Sequence, residues 1–403
     1  MKVYIHRGQN QIGGSIIEIS TKSTSIILDV GITLNEGNTV TVPKIDGLFC
    51  GEKKYDAVFV SHYHSDHIGL LEYLVDGIPV WMGEKGYDIL YSANNYRKIS
   101  TSFIPNYMRD HESIVIGDVI ITPFICDHSA YDSYMLLIEG EGKKILYTGD
   151  FRSNGRMDYT ALIQSLPKVT AVIIEGTTLS RGDNIRNIDE QKLEEIAVQY
   201  LLKQSSGPCF ILMSGMNIER LITAANVAKR TNRILLENVY TAEIAVSSAI
   251  KGIMPSKANH VRVFQINNAE HELLQKYGDA KISKNEFPHI SFVMCIRQSQ
   301  SMLRYLEKRS TEFSFEDGVL FYGMWKGYQE QQRMADFLKF MKDKGVKIHT
   351  LHTSGHADSE AIDLLIGHIN PQIIIPVHTE NAEWFNKYSD SCEVVNEICE
   401  ICI

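Results

Sequence analysis

The segment SHYHSDHIGL, residues 61–70, places four side chains that can bind a metal ion within six positions, in the pattern His62-x-His64-x-Asp66-His67. The apolar run at 57–60 is typical of a strand, and in an extended backbone side chains two residues apart point to the same side. His62 and His64 can therefore hold one ion, while Asp66 and His67 follow on the turn and can reach a second. The alternative, a polar loop after a buried strand, would bury three histidines and a carboxylate at high cost without a cation.

The composition indicates a globular protein with two domains or one large domain. With 403 residues, 44% of them hydrophobic, the chain can bury a substantial core. The seven scattered cysteines favour reduced thiols, and neither a signal peptide nor an apolar run of about eighteen residues is present. We therefore expect a cytoplasmic protein with no membrane partner. The net charge of −9 argues against non-specific coating of nucleic acid, although bound divalent cations could make a local cleft positive.

Two different patterns of predicted strands and helices along the chain indicate its domain organisation. Short strand-like runs dominate the first 180 residues and predict a sandwich with outer helices, one of them at 68–75. From about residue 185 strands and helices alternate, which is typical of a parallel sheet wrapped by helices. From Lys347–Thr350 onward the pattern returns to the N-terminal style. We predict one domain in two parts, 1–184 and 346–403, interrupted by an inserted domain at 185–345.

Two further side chains at strand ends extend the first motif. His128 directly follows an apolar strand, and Asp150 ends the run LYTGD. A third imidazole would complete the nitrogen ligands of the first ion, and a carboxylate can bridge two cations because its oxygens carry separate lone pairs. Taken singly, either residue is more often a turn residue. Their joint presence downstream of the first motif favours metal binding.

These residues give the chain a resemblance to metallo-β-lactamase-fold hydrolases. Asp29 in ILDVG, the HxHxDH segment, His128 and Asp150 occur in the order found in that family. The resemblance implies an α/β fold, an αββα sandwich, in which Asp29 orients a ligand histidine. For Asp29 an ordinary turn residue remains the alternative.

The chain resembles more specifically the β-CASP branch, the nucleases that include ribonuclease J, the pre-mRNA 3′-end endonuclease and the Artemis-type DNA nucleases. The motifs of the branch match Glu175 in IEGT, His356 in TSGHA and His378 in IPVHTE. In this branch the insertion is a parallel α/β domain. Ribonuclease J carries a further C-terminal domain, whereas only 25 residues follow His378, so the resemblance predicts a chain without that domain.

The resemblance implies two divalent ions, Zn²⁺ in first place and Mn²⁺ as the alternative. Its metal ligands are His62, His64 and His128 on one ion, Asp66, His67 and His378 on the other, and Asp150 between them. Asp66, Glu175 and His356 would be catalytic, with His356 held by Glu175 as general acid. Ser354 and His356 would contact the substrate phosphate. Asn217 and Arg220, at a strand-to-helix junction that attracts anions, would do so from the insertion, although a helix cap explains Asn217 equally well.

The predicted function is a two-metal ribonuclease that cuts single-stranded RNA by attack of metal-generated hydroxide, in a cleft between the two domains. Histidine rather than valine at position 378 resembles the RNA-acting members of the branch. The alternatives are an Artemis-type DNA nuclease, a catalytically silent nucleic-acid-binding homologue, and a lactonase or thioesterase. Exonuclease or endonuclease action and a homodimeric state stay open.

Overall fold

Three β-sheets carry the architecture of this computed structural model, which describes residues 1–34, 40–181, 186–204, 207–397 and 400–403. The chain divides into two units. The first unit comprises Met1–Tyr91, Ile99–Asn187 and Gly355–Ile403, and the second comprises Ser92–Lys98 and Ile188–Ser354. The predicted boundary at 184/185 lies outside the described residues, so it stays a prediction.

The first unit contains two seven-stranded sheets. The first sheet, in the order β20-β1-β2-β3-β4-β5-β6, is formed by β1 (Lys2–Arg7), β2 (Ile16–Ser20), β3 (Ser25–Leu28), β4 (Ala57–Phe59), β5 (Val80–Gly83), β6 (Asn106–Met108) and β20 (Glu400–Cys402). The second, in the order β19-β18-β11-β10-β9-β8-β7, is formed by β7 (Ile114–Ile116), β8 (Val119–Cys126), β9 (Ser133–Gly140), β10 (Lys143–Tyr147), β11 (Ala171–Ile174), β18 (Ile373–Pro376) and β19 (Glu393–Val394). In each sheet an antiparallel half continues into a parallel half that starts at β3 or β10.

The two sheets pack face to face, and the alternation of side chains along β9 shows how. Leu136 and Ile138 join a core that also contains Ile17 and Phe59 of the first sheet. Leu137, which points the other way, joins a second core under the outer helices. Because neighbouring side chains of a strand point to opposite faces, a strand buried on both sides reads as a continuous apolar run.

The helices of the first unit differ in part from the prediction. They are α1 (Ser65–Ile68), α3 (Tyr159–Ser165), α10 (Ser359–Ile369) and the first part of α2 (Glu84–Arg97), whose residues from Ser92 onward belong to the second unit. The helix predicted at 68–75 is wrong: the chain forms only the single turn of α1 and a 3-10 turn at Leu71–Tyr73. Gly69 follows the last residue of α1, and a Cβ there would lie 2.5 Å from the carbonyl oxygen of Ser65, so the position favours glycine. Among the described helices, none is long and apolar enough to cross a membrane.

The second unit is a six-stranded parallel sheet flanked by helices. Its strands, in the order β14-β13-β15-β12-β16-β17, are β12 (Cys209–Leu212), β13 (Ile234–Asn238), β14 (Val261–Phe264), β15 (Phe292–Ile296), β16 (Val319–Tyr322) and β17 (Lys347–Thr350). Its helices are α4 (Glu190–Gln204), α5 (Ile218–Arg230), α6 (Val239–Ser248), α7 (His271–Gln275), α8 (Gln300–Arg309) and α9 (Gln332–Asp343). β17 pairs with β16, which corrects its assignment to the second part of the first domain.

Candidate metal centre

The predicted ligands of the first unit follow the carboxyl ends of separate strands. His62 follows β4, His128 follows β8, Asp150 follows β10 and His378 follows β18. β8, β10 and β18 run in the same direction in one sheet, so their carboxyl ends lie at one edge. In α/β sheets this edge is where side chains from different strands converge on a ligand.

His62, His64 and His128 form one group of possible ligands, whose ring nitrogens lie within 4.8 Å of one another. His128 Nε2 is 3.1 Å from His64 Nδ1. Burial lowers the pKa of all three imidazoles. It holds the pKa of His62 and of His128 well below the usual range, to which the neighbouring histidines contribute. It lowers the pKa of His64 to about 4. The three imidazoles are therefore neutral at pH 7 and carry the lone pairs that metal binding requires.

Hydrogen bonds set the proton positions of two of these rings. His128 Nδ1 donates to the carbonyl oxygen of Gly355, which leaves the Nε2 lone pair for the group. His62 Nδ1 is 3.1 Å from Ser61 Oγ, whose own proton goes to Asp29. His62 Nδ1 is therefore the donor in that contact, and its Nε2 carries the lone pair.

Asp66, His67, Asp150 and His378 form the second group, also within 4.8 Å. His378 Nε2 lies 3.1 Å from Asp66 Oδ2, and His67 Nε2 lies 3.3 Å from Asp150 Oδ2. Burial alone would raise the pKa of the Asp66 and Asp150 carboxyls, but the histidines around them hold both below the usual range. Burial would lower the pKa of His67, yet the carboxylates of Asp150 and Asp29 raise it well above its usual value.

Asp150 belongs to the second group and lies beside the first. Its Oδ2 lies 3.8 Å from both His62 Nε2 and His128 Nε2 of the first group, and its Oδ1 lies 3.6 Å from His378 Nδ1 of the second. Within the described part of the chain, His62 Nε2, His67 Nε2 and Asp150 Oδ1 are buried without a hydrogen-bond partner. Buried polar atoms are almost always satisfied, so these three atoms on neighbouring side chains fit divalent metal ions.

Asp29 ties the strand β3 to the motif that follows β4. Its carboxylate accepts hydrogen bonds from Ser61 N and Oγ and from His67 Nδ1, each at 2.7 Å, and another from the Tyr147 hydroxyl. The backbone of Asp29 has a φ of 58°, which costs energy for a residue other than glycine. A strained backbone at a buried acceptor of four bonds is typical of a functional position.

Gly31 explains why the ILDVG segment can approach the turn at 65–67. A Cβ on Gly31 would lie 1.6 Å from the carbonyl oxygen of Asp66. Val30 N donates to His67 O in the same contact, at 2.8 Å. The glycine therefore allows the two segments to touch, and the position of Asp66 and His67 depends on it.

Glu175 and His356 adjoin Asp150. His356 Nδ1 lies 3.1 Å from Glu175 Oε2 and 3.5 Å from Asp150 Oδ2. Burial alone would lower the pKa of His356, but the carboxylates of Glu175 and Asp150 raise it to about 9. Glu175 is itself held by the backbone N–H groups of Phe151 and Thr177. His356 is thus cationic at neutral pH.

Three of the residues predicted to contact phosphate lie in the second unit. Ser354 is the last residue of the second unit. Asn217 caps α5 by accepting from Arg220 N at 3.0 Å, which is the alternative explanation of that residue. Arg220 is 1% exposed and donates to Glu190 at 3.2–3.3 Å and to the carbonyl of Leu351. The prediction that Arg220 contacts phosphate is therefore corrected, because its guanidinium is committed inside the second unit.

Three supporting side chains were not singled out from the sequence. Ser61 and Tyr147 bond Asp29, and Thr177 Oγ1 lies 2.8 Å from His378 Nδ1. Ser61 and Tyr147 stand within three residues of a predicted ligand, at a strand end. Position beside a ligand is thus the signal that could have found them.

Comparison with known families finds two matching domain models. Residues 47–228 match a beta-lactamase superfamily domain, and residues 343–390 match a Zn-dependent metallo-hydrolase RNA specificity domain. The first match contains the HxHxDH segment, His128 and Asp150, and the second contains His356 and His378.

Similar proteins cover most of the chain at low identity. Ribonuclease J of Helicobacter pylori (strain ATCC 700392 / 26695) is 23% identical over 93% of this chain and 55% of its own length. Ribonuclease J of Mycoplasma genitalium is 20% identical over 94% of this chain and 68% of its own length. The chain thus spans about half the length of the Helicobacter relative that it matches.

A solved structure shares the whole fold. A crystal structure of a protein of unknown function from Enterococcus faecalis V583 matches 100% of this chain and 99% of its own, with a TM-score of 0.83 and 20% identity. The predicted fold class, an α/β metallo-β-lactamase sandwich with an inserted parallel α/β domain, is confirmed.

Proposed function

We propose, from the confirmed resemblance of this chain to metallo-β-lactamase-fold nucleases of the ribonuclease J kind, that it is a metal-dependent ribonuclease that hydrolyses single-stranded RNA. The observation that carries the proposal is the pair of ligand groups, with Asp150 of the second lying 3.8 Å from His62 and His128 of the first. Two adjacent ligand groups with a carboxylate between them suit two-metal phosphodiester hydrolysis.

Seven side chains would hold the ions, and the donor set decides which ions suit them. Three imidazoles on the first group favour Zn²⁺, and the two carboxylates with two imidazoles on the second accept Zn²⁺ or Mn²⁺. When bound, two such ions lower the pKa of shared water and neutralise charge that builds on a phosphate. Asp29 would keep the His67 ring turned so that Nε2 faces the second ion.

His356 would supply the proton that the leaving oxygen needs. Glu175 fixes the ring through Nδ1, so the proton available for transfer is on Nε2. A pKa of about 9 keeps that proton in place at neutral pH. The adjoining carboxylates would also stabilise the ring in its charged form before transfer.

RNA is preferred as substrate on three grounds. The relatives bear the name ribonuclease J, the matching domain at residues 343–390 is described as an RNA specificity domain, and position 378 is histidine. An Artemis-type DNA nuclease remains the nearest alternative. A homodimeric state is a further expectation of the same proposal, and the direction of cutting stays open.

The decisive experiment is digestion of matched, end-labelled RNA and DNA oligonucleotides by purified protein with Zn²⁺ or Mn²⁺, combined with elemental analysis. We expect about two equivalents of metal per chain, cleavage of RNA in preference to DNA, and loss of cleavage with a chelator. Preference for DNA would transfer the proposal to the alternative. Fewer than one equivalent of metal would reject it.

A variant pair separates the protein from contaminating nucleases. His64→Ala removes one ligand of the first group, while His289→Ala removes an exposed histidine of the second unit. We expect the first variant to lose RNA cleavage and the second to retain it. Equal cleavage by both variants would mean that the observed activity comes from another protein.

A further inference from the structure

A cavity of about 580 Å³ lies beside β14, the strand at one edge of the parallel sheet in the second unit. The segment 278–287 runs along the outer side of this strand, and α7 and α8 supply the remaining walls. None of the lining residues belongs to the strand ends where Arg97 and Arg297 contact Tyr240. The volume falls within the range of about 300–1,000 Å³ that is typical of small-molecule sites.

The buried part of the lining is aromatic. The rings of Phe264 and Tyr305 stack with their centroids 5.1 Å apart, and Phe287 meets Phe264 edge-on at 6.1 Å. Leu274 and Ile282 add aliphatic surface beside these rings. An apolar ligand that enters such a surface leaves water, which is favourable in proportion to the area covered.

The two arginines of the lining already have acidic partners. Arg262 Nε donates to the carbonyl oxygen of Ala280 at 3.1 Å, and its Nη2 lies 3.3 Å from Glu286 Oε1. Arg309 Nη2 donates to Glu312 Oε1 at 2.7 Å. Both guanidiniums therefore form part of the wall, and their paired donors are not available to a phosphate.

Arg309 leaves one buried donor at the cavity. Its Nε has no hydrogen-bond partner in the part of the chain that the structure describes. The guanidinium carbon lies 5.3 Å from the ring centroid of Tyr305, so this donor adjoins the aromatic surface. Buried donors are almost always satisfied, and the cavity therefore favours a ligand with acceptor oxygens over a pure hydrocarbon.

Three lysines give the cavity an excess of positive charge. Lys281 donates to Gln275, and neither Lys257 nor Lys284 forms an ion pair with any described residue. Beyond Glu286, which Arg262 neutralises, the lining contains a single carboxylate, that of Asp279. This excess stands out in a chain that carries nine more acidic than basic residues, and it favours an anion.

We propose that this cavity binds a small aromatic carboxylate, with the ring against Phe264, Phe287 and Tyr305 and the carboxylate on the side of Lys257 and Lys284. Lysine ammonium groups act as point charges, which suit a single negative charge without the paired donors that phosphate recognition uses. No lining residue belongs to the ligand groups of the metal centre. The inference therefore stands independently of the proposed ribonuclease function.

The direct probe is 3-phenylpropionate, compared by calorimetric titration with 3-phenylpropan-1-ol, which has the same ring and no charge. The proteins would be the full chain, the double variant Lys257→Gln, Lys284→Gln, and the control Lys308→Gln, an exposed lysine of α8 outside the lining. We expect the double variant to weaken binding of the carboxylate at least about fivefold and to leave binding of the alcohol unchanged. The control should bind both compounds as the parent does. Equal affinity of the parent and the double variant for the carboxylate would overturn the proposal.

Protection from acetylation locates the site on the parent protein and needs no variant. An acetyl N-hydroxysuccinimide ester would modify the lysines with and without 3-phenylpropionate, and mass spectrometry of peptides would give the rate at each position. We expect Lys257 and Lys284 to react at least about twofold more slowly with the carboxylate present, and Lys308 to react at its original rate. The same rates at all three lysines with and without the ligand would contradict the proposed position.

Two further anions test whether the aromatic surface takes part. Acetate has the carboxylate without the ring, so we expect it to bind about a hundredfold more weakly than 3-phenylpropionate. Inorganic phosphate should not displace 3-phenylpropionate at equal concentration. Displacement by phosphate, or equal affinity for acetate, would show that the cavity responds to charge alone and would reject an aromatic carboxylate as its ligand.

Discussion

The sheet edge that carries the metal-ligand groups and the sheet edge of the second unit where Arg297 lies are both formed by the ends of parallel strands. The side chains that they present differ in charge and in hydrogen-bonding character. Both lie where parallel strands end, in the first unit after β10 and β18 and in the second after β12 and β15. The first edge presents buried imidazoles and carboxylates, whose unsatisfied atoms face one another. The second presents two arginines held on a tyrosine ring.

The difference teaches that topology supplies only the place where side chains converge. The one to three residues that follow each strand decide what the place can bind. Lone pairs directed inward suit a cation, whereas N–H donors supported from below by aromatic rings suit a phosphate. Four predictions test the first edge and the interior of the second unit.

The largest effect is expected for Asp150→Asn, because this carboxylate of the second group also lies 3.8 Å from two histidines of the first. We expect loss of metal from both groups and a fall in RNA cleavage of about a thousandfold or more. His64→Ala should lose one equivalent only. Asp76→Asn, an exposed aspartate, is the control for the change of charge. Elemental analysis and initial rates are the measurements, and retention of one full equivalent by Asp150→Asn would show that the carboxylate is not shared.

The next effect concerns stability of the second unit. Arg220→Ala should lower the free energy of unfolding by about 3–5 kcal/mol, because it leaves Glu190 buried without its cationic partner. The double variant Arg220→Met, Glu190→Leu should recover much of this loss, since an apolar pair needs no charge compensation. Urea unfolding followed by circular dichroism is the measurement. Unchanged stability together with weaker RNA binding would restore Arg220 as a surface contact.

A moderate effect is expected for Asp29→Asn. Asparagine tolerates the left-handed backbone at this position but cannot accept from His67 as a charged group. We expect metal affinity to fall by about 10–100-fold with the fold intact. Competition with a chelator measures this change. If affinity stays at the parent value, the ring of His67 is oriented without Asp29.

The smallest effect concerns a buried carboxyl on the sheet of the second unit. Glu237, on β13, is fully buried, and burial raises its pKa well above the usual value. The folded protein keeps the proton that the unfolded chain releases above a pH of about 4.3, so this group lowers stability as pH rises, by at most about 1.4 kcal/mol per pH unit. Glu237→Gln should therefore gain stability relative to the parent at pH 8 compared with pH 5.

The control for this titration is Glu307→Gln, an exposed glutamate of α8. Its pH dependence of unfolding should follow that of the parent. Parallel curves for Glu237→Gln and the parent would mean that the Glu237 carboxyl titrates normally in the folded protein.

The strands and the ligand positions were predictable because both depend on local pattern. Apolar runs such as Ile373–Pro376 end in turn residues, and His62, His128, Asp150 and His378 stand directly beyond such runs. The helix Glu84–Arg97 was missed because polar residues interrupt its C-terminal half, SANNYR, on every face. The prediction of a helix at 68–75 was wrong because it relied on the spacing of the apolar residues. It gave too little weight to the glycine at position 69, which disfavours a continuous helix.

Long-range pairing accounts for the remaining errors. Nothing local to Arg220 indicates that Glu190 lies opposite it, and nothing local to Lys347–Thr350 indicates a partner in the sheet of the second unit. Arg297 was overlooked because it belongs to no motif. Its place immediately after the buried strand Phe292–Ile296 was nevertheless the same signal that identified the histidines of the first unit.

The contact between His378 and Asp66 joins residues 312 positions apart. During synthesis on a ribosome, the HxHxDH segment emerges long before the strand that carries its last partner. The second ligand group therefore stays incomplete until β18 has inserted beside β11, after the whole second unit has been translated. A nascent or truncated chain that ends before this strand would lack a ligand, so completion of the polypeptide itself delays the onset of any activity that needs both groups.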